Sequence, residues 1–316
     1  MADVDSLELL LAAVRKGQPR AVGRAISLIE NSAVELPTIM RALAPAAGRA
    51  MVVGITGAPG VGKSTTIAAL IAAVRRDGGR VGVLAVDPSS PFSGGALLGD
   101  RVRMQQHALD GEVLIRSMAT RGHLGGLSVA APSALRVFDA AGCDTVIVET
   151  VGVGQSEVEV ASIADCTVVL LAPGAGDGIQ AAKAGILEIG DLFVVNKSDR
   201  EGAHAVVREL RTMISLGERK PGDWKPPVLS LVAINEEGVP ALLAALAAFR
   251  SDAESSGRWQ QRRLEQARRQ VESLLLAKLR QHYALERGSE IERLAREVRD
   301  GQLDVFSAAE ALLAPV

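Results

Sequence analysis

Gly57-Ala58-Pro59-Gly60-Val61-Gly62-Lys63-Ser64 leaves this chain few ways to fold around it. The octet fits G-x-x-x-x-G-K-[ST], a loop whose backbone N–H groups wrap the α- and β-phosphates of a nucleotide. It follows the apolar run Met51–Thr56 and opens a helical run from Ser64, so strand, loop and helix must come in that order. Gly57, Gly60 and Gly62 allow unusual φ values and a close backbone approach to oxygen. Lys63 is placed to bridge the β- and γ-phosphates, and the Ser64 hydroxyl to bind Mg²⁺. Thr65 and the helix N-terminus add donors and a favourable dipole. Ala58, Pro59 and Val61 complete the loop.

Downstream, Asn196-Lys197-Ser198-Asp199 follows the apolar run Leu192–Val195. A carboxylate at Asp199 can accept hydrogen bonds from N1–H and from the exocyclic amine of guanine. Adenine carries an acceptor at N1 and no 2-amino group, so the motif selects GTP or GDP over adenine nucleotides. Asn196 is expected to brace the phosphate loop, with Lys197 along the base plane. Ser230-Leu231-Val232-Ala233, after another short strand, reads either as a further base-contacting loop or as an ordinary strand end. The pairing of the two motifs predicts a Mg²⁺-dependent GTPase.

Three acidic residues fall at strand ends or in adjacent loops. Asp87 follows Val81–Val86, Asp100 sits in Gly94-Gly95-Ala96-Leu97-Leu98-Gly99-Asp100-Arg101, and Glu149 ends Thr145–Glu149. Ligands collect beyond the carboxyl ends of parallel strands, and hard oxygens suit Mg²⁺. The alternative reading of Asp100 is a helix cap for the following run. Glu149-Thr150-Val151-Gly152 stands where GTPases carry D-x-x-G, so the Gly152 amide can sense the γ-phosphate. Many regulatory GTPases place a water-orienting Gln directly after that glycine. Here the position is Val153, with Gln155 two residues later. Slow intrinsic hydrolysis, completed by a partner or a rearranged loop, is the expectation. Arg116–Gly126 is a candidate switch carrying Arg121 and His123, or a solvated loop. Gly174–Gly178, with Asp177, and on to Lys183 is a second, or an ordinary strand–helix turn.

Strands are expected over Met51–Thr56, Val81–Val86, Val113–Arg116, Thr145–Glu149, Thr167–Ala172, Leu192–Asn196 and Val228–Val232. Helical stretches such as Ser64–Arg76, Val129–Ala141 and Ala203–Ile214 fill most gaps. The alternation predicts an α/β fold, a P-loop NTPase domain with a mostly parallel sheet covered by helices on both faces. Helical periodicity from Ser6 to about Ala47 predicts an N-terminal extension over 1–48, ahead of a GTPase domain over 49–250. Residues 251–257 read as a linker. Beyond them, Leu264, Ala267, Val271, Leu274 and Leu275 form one apolar face, and Ile291, Leu294, Ala295 and Val298 another after Gly288. Such faces need a partner, so 251–316 is expected to be a helical packing or dimerisation arm.

Hydrophobic residues make up 48% of the chain and aromatics 3%, so the core must be built from Ala, Val, Leu and Ile. A net charge of −2 supplies no global attraction to nucleic acid or to an anionic membrane. Cys143 and Cys166 form no C-x-x-C pair and read as buried, reduced thiols. No secretory signal and no membrane-spanning run is visible, which predicts a cytoplasmic protein.

The ordered motifs resemble those of the MeaB/ArgK/MMAA GTPases. They are Asp87-Pro88-Ser89-Ser90, Gly99-Asp100-Arg101, Thr120-Arg121-Gly122, Leu124-Gly125-Gly126, Glu149 through Glu157, Pro173 through Asp177, and Asn196-Lys197-Ser198-Asp199. The resemblance spans about Met51–Asp199 and is looser in the flanking helices. It implies a chaperone of an adenosylcobalamin-dependent acyl-CoA mutase, chiefly methylmalonyl-CoA mutase, that gates cofactor loading and protects or reactivates the enzyme. It places Lys63 and Ser64 in the phosphate loop, Asp87, Asp100 and Glu149 around Mg²⁺, and Asp177 and Lys183 in a third switch. It also implies a homodimer through the C-terminal helices. Phe92-Ser93 falls in the variable part of the first switch. Competing readings are a metal-insertion GTPase, which usually carries a Cys- or His-rich site, and a kinase acting on a transport protein.

Overall fold

Parallel pairing on both sides buries Met51–Thr56 (β1) at the centre of a sheet, and the buried run Met51, Val53, Ile55 supplies the apolar surface this requires. The computed structural model describes residues 4–31, 34–87, 107, 109–119, 130–150, 156–174, 185, 187–217 and 222–313. The other strands are Val81–Asp87 (β2), Val113–Ala119 (β3), Thr145–Thr150 (β4), Cys166–Leu171 (β5), Leu192–Asn196 (β6) and Val228–Leu231 (β7). They form one seven-stranded sheet in the order β3-β2-β4-β1-β5-β6-β7, every pair parallel. β2, β3 and β4 run past the apolar residues that mark them in sequence. Register carries them on, with Asp87 opposite Ala119 and Val86 opposite Thr150.

The described helices are Val4–Arg15 (α1), Pro19–Glu30 (α2), Leu36–Leu43 (α3), Lys63–Arg76 (α4), Ala130–Ala140 (α5), Ser156–Ile163 (α6), Leu187–Ile189 (α7), Ala203–Leu216 (α8), Val239–Ser255 (α9), Arg258–Arg299 (α10) and Val305–Leu313 (α11). Those before Leu264 cover both faces of the sheet. On one face, Ile67, Leu70 and Ile71 of α4 and Leu242, Leu246 and Phe249 of α9 pack on Val53, Ile55, Val168 and Val194. On the other, Phe138 of α5 and Val160 of α6 meet Leu84, Val86, Val146 and Val148. The N-terminal helices share this second core. Pro19 opens α2 at a position that needs no donor, and Ala21, Val22, Ala25, Ile26 and Ile29 then bury one helical stripe. A third cluster sets Val206, Val207, Leu210 and Ile214 of α8 against Phe193 and Val195.

The C-terminal region departs from its sequence reading. Residues 251–257 are helical to Ser255, and Gly257, at φ 76°, turns the chain into α10. No break occurs at Gly288. α10 is one helix of 42 residues, because an interior glycine costs only about 1 kcal/mol relative to alanine. Compactness divides the chain at Leu264/Glu265 instead, into units of 1–264 and 265–316. The root of α10 belongs to the first unit. Arg263 forks onto Asp165, with Nε to Oδ1 at 2.9 Å and Nη2 to Oδ2 at 2.8 Å, and also donates to Ala50 O. Arg262 grips Asp191 through two bonds of 2.8 and 2.9 Å. Both carboxylates double as strand caps, Asp165 accepting from the Val52 N–H and Asp191 from the Thr167 N–H. In the second unit Asp304 Oδ1 caps α11 by accepting from the N–H groups of Phe306 and Ser307. Leu294 and Ala308 are buried there, while Val271, Leu274, Leu275, Leu276 and Leu279 of α10 are exposed. Among the described residues no helix is long and apolar enough to cross a membrane.

Candidate functional site

The loop between β1 and α4 takes a shape only glycine tolerates at two points. Gly57 has φ 144°, and a Cβ there would lie 2.2 Å from Leu170 O of the neighbouring strand. Gly62 has φ 96°, and its Cβ would stand 2.3 Å from Asn196 Nδ2. These contacts wedge the loop between β5 and β6, at the carboxyl ends of the parallel strands where ligands gather. Lys63 opens α4 and is buried, its Nζ donating to Gly57 O at 2.8 Å and Ala58 O at 3.2 Å. The ammonium is thereby held over the loop, ahead of a helix N-terminus whose free N–H groups favour anions. Pro59, Gly60 and Thr65 are exposed, while Val61 is buried beneath the loop.

Ser64 Oγ donates to Glu149 Oε1 at 2.9 Å, and both residues are buried. Two hard oxygen donors at the end of β4 and the start of α4 match the ligand preference of Mg²⁺, which binds through few protein oxygens and keeps several waters. The donor set therefore fits that ion. Asp87 closes β2 in the backbone. Asp100, Arg121, Gly152, Gln155, Asp177 and Lys183 lie outside the described residues. So does His123.

Asn196, at the end of β6, is buried and spans two loops. Its Nδ2 donates to Val61 O of the glycine-rich loop at 2.9 Å, and its Oδ1 accepts from the Ala233 N–H at 3.1 Å. Lys197 has a left-handed φ of 56° and reaches back to Gly60 O at 2.7 Å. The Ser198 N–H donates to Leu231 O, joining the turn after β6 to the end of β7. Asp199 is exposed, its carboxylate open to a ligand. The structure thus brings the two sequence motifs together across more than 130 residues. It also draws in Ser230, Leu231 and Val232, although Leu231 and Val232 are buried and only Ser230 is exposed. This loop meets the motif through backbone groups, the Leu231 carbonyl and the N–H of Ala233. The sequence marks Ala233 only as the end of the candidate base-contacting tetrapeptide, because a backbone N–H leaves no side-chain signal.

One part of this arrangement is a glycine-rich loop at a helix N-terminus with a buried lysine. The other is an exposed carboxylate on a turn tied to that loop. Together they can hold a nucleotide by its phosphates and its base at once.

Comparison with known proteins agrees with that chemistry. The sequence profile described as Methylmalonyl Co-A mutase-associated GTPase MeaB matches residues 22–287. GTPase ArgK of Escherichia coli is 39% identical over 275 residues, covering 83% of this chain and 83% of its own. The mitochondrial methylmalonic aciduria type A homolog of Mus musculus is 36% identical over 266 residues, which are 83% of this chain and 64% of that protein. Among solved structures, a protein titled LAO/AO transport system kinase superposes with a TM-score of 0.74 at 27% identity, covering 99% of this chain and 98% of its own.

Proposed function

This chain belongs to the MeaB family of P-loop GTPases, and from that premise we propose that it spends GTP on chaperoning an adenosylcobalamin-dependent acyl-CoA mutase, most simply methylmalonyl-CoA mutase. The observation that carries the nucleotide half is the bond from Asn196 to Val61, which ties the guanine motif to the phosphate loop. The mutase half is supported by the family's description and by the relative named for methylmalonic aciduria.

In this reading the amides of 57–64 cradle the α- and β-phosphates, and Lys63 neutralises the β,γ-bridge. Asp199 accepts from the guanine edge, Lys197 lies along the base, and Asn196 holds the two halves in register. Ser64 and Glu149, with Asp87 and Asp100, hold Mg²⁺. Bound there, the ion would supply positive charge to offset that on the phosphates. Thr65 adds a donor, Gly152 reports the γ-phosphate, and Arg121, Gln155, Asp177 and Lys183 serve as switch residues that couple nucleotide state to the client. Val153 in place of a water-orienting Gln makes hydrolysis slow until the client completes the site. A homodimer forms through α10, whose exposed leucines need cover, and the protein works in the cytoplasm.

The test is GTP hydrolysis by the purified protein, alone and with an adenosylcobalamin-dependent mutase from the same organism, with ATP as control. Slow, GTP-only turnover that rises with the mutase is the expected result. Unchanged turnover with a proven mutase would overturn the client assignment. A second reading, a protein kinase, is favoured only by the name of the solved structure that superposes over the full chain. It requires phosphate to appear on an acceptor protein rather than free in solution.

A further inference from the structure

Two non-glycine residues with left-handed backbone stand out among those described, Lys197 at φ 56° and Glu236 at φ 59°. Such residues are uncommon outside glycine, and strain of this kind persists where surrounding contacts over-determine it. Lys197 lies in the base motif. Glu236 lies 39 positions later, in the turn that follows β7, and no sequence motif marks it. Each sends a long side chain to the unit of phosphate loop and following helix, Lys197 to the loop itself and Glu236 to the far end of the helix. Lys197 Nζ donates to Gly60 O, and Glu236 Oε2 accepts from Arg76 Nη1 at 2.6 Å. Arg76 is the last residue of the helix that the phosphate loop opens.

The turn that carries Glu236 is closely specified. The Val232 N–H donates to Glu237 O, the Asn235 N–H to Val232 O and the Glu236 N–H to Ala233 O. Gly238, at φ 85°, passes so near Ser230 O that a Cβ would lie 2.4 Å away. At the head of the turn, the Ala233 N–H meets Asn196 Oδ1, the far end of the amide that binds Val61. Moving Glu236 therefore moves Ala233, then the Asn196 amide, then the register between base loop and phosphate loop.

We infer that Arg76 and Glu236 are positioning residues for guanine nucleotide, a strut distinct from Lys197 that ties the 230–238 turn at the base site to the C-terminal end of α4. The inference rests on the base-site reading of Asn196–Asp199 above. The pair is solvent-exposed, at 56% and 42% for the two side chains, so its effect is modest.

The experiment measures the dissociation constant for GDP and the steady-state parameters for GTP in R76A, E236Q and the swap R76E/E236R, with Asp199→Asn in parallel. Each single variant is expected to weaken GDP binding about two- to fivefold, the span of an exposed ion pair. The loss should appear in KM for GTP rather than in kcat, with the melting temperature near that of the parent. The swap is expected to recover most of the affinity. GDP affinity unchanged in both single variants, or a swap no better than either, would overturn the strut. A fall in melting temperature without a change in GDP affinity would overturn it too, by making the pair merely structural. Asp199→Asn that keeps its guanine preference would overturn the base-site reading instead, an outcome independent of the other three.

Discussion

Lys63 is a buried cation whose hydrogen bonds run to carbonyl oxygens of its own loop, Gly57 O and Ala58 O. A phosphate arriving at the glycine amides meets that ammonium already in place, with its desolvation cost met during folding. Lys63→Ala is therefore expected to weaken GDP binding about 10- to 100-fold, the range of one or two lost charge-assisted bonds. Equilibrium titration checks this, and unchanged affinity would remove Lys63 from the phosphate site. Cys143 poses a different residue-scale question. Burial pushes its thiol up from 9.0 to about 12, with Asp144, Asp139 and Glu112 adding to the rise and Arg80 opposing it. Cys166 is raised as well, again first by burial. Neither thiol should alkylate in the folded protein at neutral pH, since the thiolate is the nucleophile. A thiol whose folded pKa lies above its unfolded value favours the folded state below pH 9.0 and loses that advantage as pH climbs toward 12. Cys143→Ala should flatten the decline in stability over that window, as read by urea midpoints at stepped pH.

Elements meet here at two opposite ends of the sheet. At the carboxyl ends, β1, β4, β6 and β7 deliver the loops of the candidate site. At the amino ends, Asp165 and Asp191 gather the starts of β1, β5 and β6 onto the root of α10. Aromatic faces support the arginines, with Arg263 4.5 Å from the Trp259 ring centre and Arg262 5.6 Å from that of Phe249. Asp165 is almost wholly buried, so removing Arg263 leaves an uncompensated carboxylate in the core. Arg263→Ala should cost about 3 kcal/mol, the lower end for a broken buried pair because the guanidinium keeps some solvent contact. Arg262→Ala should cost less, since that side chain is more exposed. Urea unfolding followed by circular dichroism ranks the two, and a reversed ranking would contradict the burial argument.

At the scale of the whole molecule, the exposed leucines of α10 bear on assembly. Val271, Leu275 and Leu279 repeat at intervals of four along one helix face, with Leu274 beside them. If this stripe joins two copies, Leu275→Glu should convert a dimer to a monomer by light scattering, leaving the far-ultraviolet helical signal intact. A monomeric parent protein would place the stripe against something else. The parallel sheet was readable from the chain because strands buried on both faces must be nearly all apolar, as β5 and β6 are. The glycine-rich loop and Asn196-Lys197-Ser198-Asp199 were readable because their chemistry lies in consecutive residues. The continuity of α10 was not, since its exposed, Arg-rich stretch gives helical periodicity little contrast and Gly288 looks like a stop. What the sequence alone determined is what neighbouring residues decide, namely strand, helix, loop shape and the nucleotide class a loop can hold. Tertiary structure decided which distant charges meet. Arg263 with Asp165, 98 residues apart, and Arg76 with Glu236, 160 apart, are ordinary surface residues in a linear reading. They become partners only because the tertiary fold brings their elements within reach, and short-range electrostatics act on distance in space rather than along the chain.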